Sequence, residues 1–261
     1  MNRRIPNLVR TVALFALGAG LAADGVVGQL VTDRPTVVES SMVLQERMLQ
    51  AEGGLALART DHVDVFSGPL LLRYGMGMGW ELRLETPGLQ HRTDPDDLLD
   101  DTGIGDLALG AKWHIRDVDD VGPSVALLFH ADLPTGSGPF GGDGVRPSIR
   151  GTAEWPLTPL LTLGTLAGVK FDQLEEDRFT SAILAAVMSQ QWASDFATFA
   201  ELAFTQIASD DYGGNVGVFN LGGLFTARDW LQFDTLLGLP LTDGAPDVQF
   251  TVGLSYRVTI R

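Results

Sequence analysis

The sequence predicts an all-β protein, a transmembrane antiparallel up-and-down β-barrel of about 12 strands. Three observations carry this reading. From Val248 to Ile260 the residues alternate without a fault: Val248, Phe250, Val252, Leu254, Tyr256, Val258 and Ile260 on one face, Gln249, Thr251, Gly253, Ser255, Arg257 and Thr259 on the other. A period of two is a strand, and at about 3.3 Å per residue this one is far longer than a globular strand needs. Similar blocks recur along the chain between clusters of turn residues. Finally, no later stretch approaches about 18 continuous apolar residues, and no part of the chain shows the 3.6-residue period of a helical layer that could cover so tall a sheet.

The N-terminus reads as a signal peptide over residues 1–28. Arg3, Arg4 and Arg10 precede an apolar run from Val12 to Ala23 that is short for a membrane span, with cleavage after Ala22 or Gly28. The alternative, a single membrane anchor, needs a longer run. Residues 29–48 have no clean period. Asp33-Arg34-Pro35 breaks any helix that begins earlier, and Val37 to Met48 is either a short helix or irregular. This segment is expected to be a lead-in to the barrel or a plug inside it, with residues 49–261 forming the barrel.

Strands are predicted over 49–60, 63–76, 80–86, 103–116, 123–134 and from Arg146 to Glu154. They continue over 160–172, 178–192, 195–208, 214–227, 230–240 and the closing stretch. Leu70, Leu72 and Tyr74 share a face opposite Arg73, and Trp80, Leu82 and Leu84 oppose Glu81, Arg83 and Glu85, with a tight Met-Gly-Met-Gly turn between. Twelve strands put both ends of the barrel on one side of the membrane, and the longer connections then fall on the outer side. These include the acidic stretch 87–102, with Asp94, Asp96, Asp97, Asp100 and Asp101, and the glycine-rich 135–145. Tyr74, Trp80, Trp113, Trp155, Trp192, Trp230 and Tyr256 lie near strand ends or outward faces, as interfacial girdles require. A soluble β-sandwich or lipocalin-like barrel shares the alternation but not the strand length or number.

The 261 residues include no cysteine, so disulfides and thiolate metal sites are excluded. The formal net charge is −15, and without residues 1–28 the remaining 15 basic and 32 acidic residues give −17. Phosphates would be repelled, which argues against nucleic acid. The expected partners are outer-membrane lipid and lipopolysaccharide outside, a small-molecule solute inside, and the barrel-insertion machinery during biogenesis. No cofactor and no metal are implied.

Inward faces carry charge of both signs. The candidate lumen-lining, solute-binding residues are Arg73, Glu81, Arg83, Glu85, Asp106, Lys112, His130, Asp132, Arg150, Glu154, Lys170, Glu201, Asp234 and Arg257. Such charges either pair and brace the wall or form a constriction that selects solutes. The Arg73 and Glu81-Arg83-Glu85 hairpin is the best candidate for both, since it places them on one face of adjacent strands. An outer-membrane hydrolase is the rival class, and it needs a nucleophile beside a histidine. His62 and His91 read as solvated loop residues, His114 and His130 as inward-facing, and no G-x-S-x-G or H-E-x-x-H motif occurs. A plugged structural or adhesive barrel is the third class. Glu175-Glu176 and Asp210-Asp211 read as solvated loop acids. Gly136 to Gly142 lacks the Lys-Ser/Thr of a phosphate loop and reads as a mobile outer loop.

Several stretches resemble the MetA-pathway of phenol degradation family. They are Thr32-Asp33-Arg34-Pro35 with Glu39-Ser40, LLLRYGMGMGWELRLETPG (70–88), GIGDLALGAK (103–112), LPTGSGPF (133–140) and GLPLTDGAPDVQFTVGLSYRV (238–258). The resemblance implies an outer-membrane barrel that passes small, often aromatic or hydrophobic, molecules by diffusion. One departure is the C-terminus. Barrels of this type typically finish on an aromatic residue read by the insertion machinery, whereas here Tyr256 lies five residues before Arg261.

Overall fold

A computed structural model describes residues 30–94, 100–119, 122–174 and 176–260. The signal-peptide reading, Asp96, Asp97 and Glu175 lie outside them. The strands are β1 (Met48–Thr60), β2 (Val63–Ser67), β3 (Leu70–Gly77), β4 (Trp80–Thr86) and β5 (Leu89–Thr93). Next come β6 (Asp101–Ile104), β7 (Leu107–Arg116), β8 (Ser124–Leu133), β9 (Arg146–Thr158) and β10 (Leu161–Leu174). The chain closes with β11 (Asp177–Ala193), β12 (Phe196–Ile207), β13 (Asn215–Arg228), β14 (Leu231–Pro240) and β15 (Val248–Thr259). All belong to one antiparallel sheet, and β15 pairs with both β14 and β1, from Met48 opposite Thr259 to Arg59 opposite Val248. The perfectly alternating closing stretch is thus the seam. Closure satisfies backbone groups that lipid could not.

The ring has twelve staves: β1, β3, β4 and β7 to β15. The remaining strands, β2, β5 and β6, continue three of these staves beyond a line of breaks at Gly68-Pro69, Pro87-Gly88 and Gly105-Asp106. β2 pairs with the upper part of β1 and with β5, and β5 pairs with β6. The breaks are locked side by side, with Gly68 N donating to Leu89 O at 3.0 Å and Gly105 N to Gly88 O at 2.9 Å. Gly88 has φ +71, and a Cβ there would stand 2.1 Å from Gly68 O, so only glycine fits. Pro87 reads as the end of a strand in the sequence, but the strand resumes at Leu89. His91 therefore lies on β5 rather than in a loop, with Nδ1 2.8 Å from Thr102 Oγ1.

Alternation puts Leu82, Leu109, Leu184, Leu202, Leu221, Leu237 and Leu254 on the outside, all more than 40% exposed. A continuous apolar exterior on a closed barrel is a lipid-facing surface, and the chain is an outer-membrane protein. The short turns, such as Gly77 to Gly79, gather at one end, the periplasmic one by the rule that bacterial barrels keep their short turns there. There Trp80 stacks on Trp113 at 5.5 Å between ring centroids, and Trp230 meets Tyr256 edge-on at 5.4 Å. Their amphipathic rings suit the membrane–water boundary.

Residues 30–47 form no helix and no strand. They run through the interior as a hairpin-shaped loop. One leg is held near the periplasmic end, where Gln232 Nε2 donates to Thr32 Oγ1 at 2.7 Å and Gln50 Nε2 to Val31 O at 2.8 Å. The other leg returns to Met48, with Arg47 N donating to Gly75 O at 3.0 Å. Gly75 is required here because a Cβ would sit 1.9 Å from Gln45 O. The lumen around this loop has two unlike halves. Inward charges are densest on β1, β3, β4 and β7 to β9, while Leu166, Ile183, Val187, Phe199, Val218 and Leu236 form a buried apolar stripe on β10 to β14 that packs against Val38 and is interrupted by Glu201 and Asp234. The sequence-based expectation of inward charges holds around the ring, with Glu201 and Asp234 buried on β12 and β14, and the apolar stripe is an addition to it.

Candidate functional site in the barrel lumen

Neighbouring strands β3, β4 and β7 place Arg73 opposite Arg83 and Glu81 opposite Lys112. Like charges facing each other across a strand pair are unfavourable, and burial removes the water that would screen them. Glu81 lies between the two arginines, and the inserted segment adds a further anion there. Asp33 receives Arg83 Nη1 at 2.5 Å, Lys112 Nζ at 2.7 Å and Arg73 Nε at 3.4 Å. Arg73 also donates to Glu81 through Nε at 2.8 Å and Nη2 at 2.9 Å, and to Glu52 through Nη1 at 2.8 Å. Arg83 reaches Glu39 at 2.7 Å, Glu81 at 3.1 Å and Glu85 at 3.0 Å. Lys112 Nζ donates to Ser40 O at 2.9 Å and lies 3.6 Å from Glu39. Buried charges persist only when paired and hydrogen-bonded in this way.

The other residues singled out in the sequence divide into groups. His130 Nε2 lies 2.8 Å from Glu85 Oε1, and Arg150 Nη1 lies 3.4 Å from Glu39 Oε1, so both join the first network. Asp132 and Lys170, 3.1 Å apart, form a second network with Arg146 and Asp172, which Asp106 enters through Arg146 Nη2 at 2.5 Å. Three acids hold the inserted segment individually. Glu154 accepts from Ser41 N at 2.6 Å and from the Ser41 hydroxyl, and Glu201 from Val38 N at 2.8 Å and Val37 N at 3.1 Å. Asp234 pairs with Arg34 at 3.3 Å. Arg257 donates to Asp229 O at 2.9 Å. His114, also inward, has Nδ1 2.9 Å from Ser41 O.

Sequence reasoning missed Asp33, Glu39, Arg34 and Ser41, which lie in a stretch without period, and Glu52, Arg146 and Asp172. The inward position of Glu52 was available from the alternation of β1, where Met48, Gln50 and Glu52 are all buried.

Above the inserted segment lies a cavity of about 750 Å³. Asp33, Arg34, Thr36, Val37 and Glu39 form its floor, Pro69, Leu71 and Ala108 an apolar wall, and Pro139 to Gly142 its outer cover. The glycine-rich loop, expected to be mobile, is instead tied down. Asp106 accepts from Thr135 N at 3.1 Å, Gly136 N at 2.7 Å and Gly142 N at 2.8 Å, and Ser137 N donates to Ile104 O at 2.9 Å. Burial disfavours the charge on Asp106, but Arg146 and the Gly136 and Gly142 amides outweigh it and hold the carboxyl below the ordinary aspartate range. Glu39, Glu85 and His130 bring ligand-type atoms within 4.8 Å of one another. The Arg83 guanidinium already stands between the two carboxylates and supplies the positive charge an ion would bring.

A family model described as "Putative MetA-pathway of phenol degradation" matches residues 32–258. Among solved structures, an outer membrane channel from Pseudomonas putida F1 is 14% identical, with a TM-score of 0.62 over 85% of this chain and 98% of that one. The KdgM porin is 14% identical, with a TM-score of 0.55 over 79% of this chain and 98% of its own. The NanC porin is also 14% identical, with a TM-score of 0.54 over 80% and 98%. At these identities the likeness is one of fold. No curated protein matches the chain in sequence.

Proposed function

Because the chain belongs to the MetA-pathway of phenol degradation family and folds as a closed outer-membrane barrel, we propose that it is a channel for passive uptake of small molecules, aromatic and hydrophobic ones among them. The observation that carries this reading is the pairing of an outward cavity of about 750 Å³ with a floor made of one irregular segment. A solute enters the cavity, and displacement of residues 30–47 opens the way to the periplasm. The inward charges named above serve two ends in this reading: they brace the wall and hold the segment in its closed position. The apolar stripe on β10 to β14 gives a hydrocarbon or aromatic moiety a surface to follow once Val38 leaves it. The lumen residues act by contact and electrostatics, in a channel rather than an enzyme.

A disulfide switch tests this. Ser41 Oγ lies 2.7 Å from Ser124 Oγ on β8, and the chain has no cysteine of its own. In Ser41→Cys/Ser124→Cys the sulfurs lie within bridging reach. The oxidised protein in liposomes is expected to admit no small aromatic solute, and reduction is expected to restore the wild-type rate. Equal uptake before and after reduction, with the bridge verified by mass, would refute a moving segment. No uptake by either redox form or by the wild type would favour a plugged structural barrel.

A further inference from the structure

Resting on the reading of the cavity as the first stop of the solute, we propose that it is a binding site for amphipathic monoanions. A carboxylate is held by Arg150, with Arg34 a second cation on the lining, and an apolar body lies against Pro69, Leu71 and Phe140. The argument comes from how fully each charged group in the cavity is used. Every carboxylate on the floor and walls has a cationic partner close by: Asp33 at 2.5 Å, Glu39 at 2.7 Å, Glu52 at 2.8 Å, Glu85 at 3.0 Å from Arg83, Asp106 at 2.5 Å and Asp132 at 3.1 Å. The cations Arg73, Arg83, Lys112, Arg146 and Lys170 each have two or more acidic partners.

Arg150 and Arg34 differ. Among the described residues each makes one ion pair, at 3.4 Å and 3.3 Å, at the outer limit of a hydrogen bond. The partner of Arg150, Glu39, is already claimed by Arg83 and Lys112. The Nε of both guanidinium groups is buried without a partner. Their side chains remain 21% and 14% exposed, and both line the cavity. A guanidinium with spare donors in a partly dry pocket is a strong carboxylate receptor.

The size and two-sided lining fit a single small amphiphile. The acidic surface does not cancel this preference. At physiological salt, charges more than about 8 Å away are largely screened, whereas those in contact are not. Loop acids slow the approach of an anion, and the direct contacts decide its affinity.

Titration of the detergent-solubilised full chain with 4-phenylbutyrate, 4-phenylbutyramide and 4-phenylbutylamine tests the assignment. The acid is expected to bind at least tenfold more tightly than the amide and the amine. Arg150→Gln is expected to bring the acid down to the level of the amide, with Arg150→Lys retaining part of the preference and Arg34→Gln weakening it independently. Equal affinity for all three probes, tighter binding of the amine, or an unchanged preference in both glutamine variants would overturn the proposal. Flux is scored separately. A protein that binds the acid preferentially but passes no solute into liposomes sinks the channel reading and leaves the site. One that passes all three equally without preferential binding does the reverse.

Discussion

Lys112 offers the most direct test of how the inserted segment is held. It stands on β7, yet its short contacts are with the segment: Asp33 at 2.7 Å, Ser40 O at 2.9 Å and, more weakly, Glu39 at 3.6 Å. Lys112→Met keeps most of the side-chain length and removes only the charged donor. Hydrogen bonds to charged groups contribute about 1.5–3 kcal/mol each, and breaking a buried ion pair costs about 3–5 kcal/mol. Asp33 keeps Arg83 and Arg73, and Glu39 keeps Arg83, so neither acid is stranded. The lower end applies, about 3 kcal/mol, which shifts the balance towards the released segment by about 150-fold. Hydrogen exchange reads this at the amides of Val37, Val38 and Ser41, which donate to Glu201 and Glu154 in the closed form. Their exchange is expected to accelerate by about two orders of magnitude while the amides of β11 and β12 stay protected. Unchanged protection of all three amides would refute the reasoning. Equal loss across the strands would show that Lys112 braces the wall instead.

Two further outcomes follow from single positions. Gly75→Ala places a methyl where Gln45 O now sits, so the returning leg is expected to leave the wall and become cleavable by added protease between residues 42 and 47, with the barrel still resistant. The carboxyl of Asp106 has a folded pKa below its unfolded value near 3.8, so its contribution is complete above that value and is lost as pH falls through the lower folded one. Pepsin is therefore expected to cut the 135–142 loop at Phe140 only in strong acid in the wild type. Asp106→Asn, which costs about 2 kcal/mol of charge-assisted bonding, is expected to raise the pH at which cutting begins.

The wall was legible in the sequence because lipid outside and a filled lumen inside impose a period of two that nothing else disturbs. Twelve strands were expected and twelve staves form the ring. The break at Pro87-Gly88 misled because a proline and a glycine together normally end a strand, and only the neighbouring breaks at Gly68-Pro69 and Gly105-Asp106 turn it into a continuation. Arg73, Glu81, Arg83 and Lys112 could be assigned to the interior from their faces alone. Their partners could not, since Asp33 and Glu39 lie in an irregular segment whose path is set by tertiary contacts. The apolar stripe was hidden for a related reason. Where Ile183, Ala185 and Val187 face inward and Leu184 and Met188 outward, both faces are hydrophobic and the pattern carries no contrast. The pinning of the glycine-rich loop by Asp106 joins positions about 30 residues apart, beyond the reach of any local pattern.

The hairpin course of residues 30–47 has a topological consequence. Val31 and Arg47 are held at the same end of the barrel, so the described segment is a bight, like a fold of rope pushed into a pipe. A fold can be drawn back from the side it entered without any free end travelling through the bore and without unpairing a single stave. The stopper can therefore be withdrawn and reseated from the end at which Val31 and Arg47 lie.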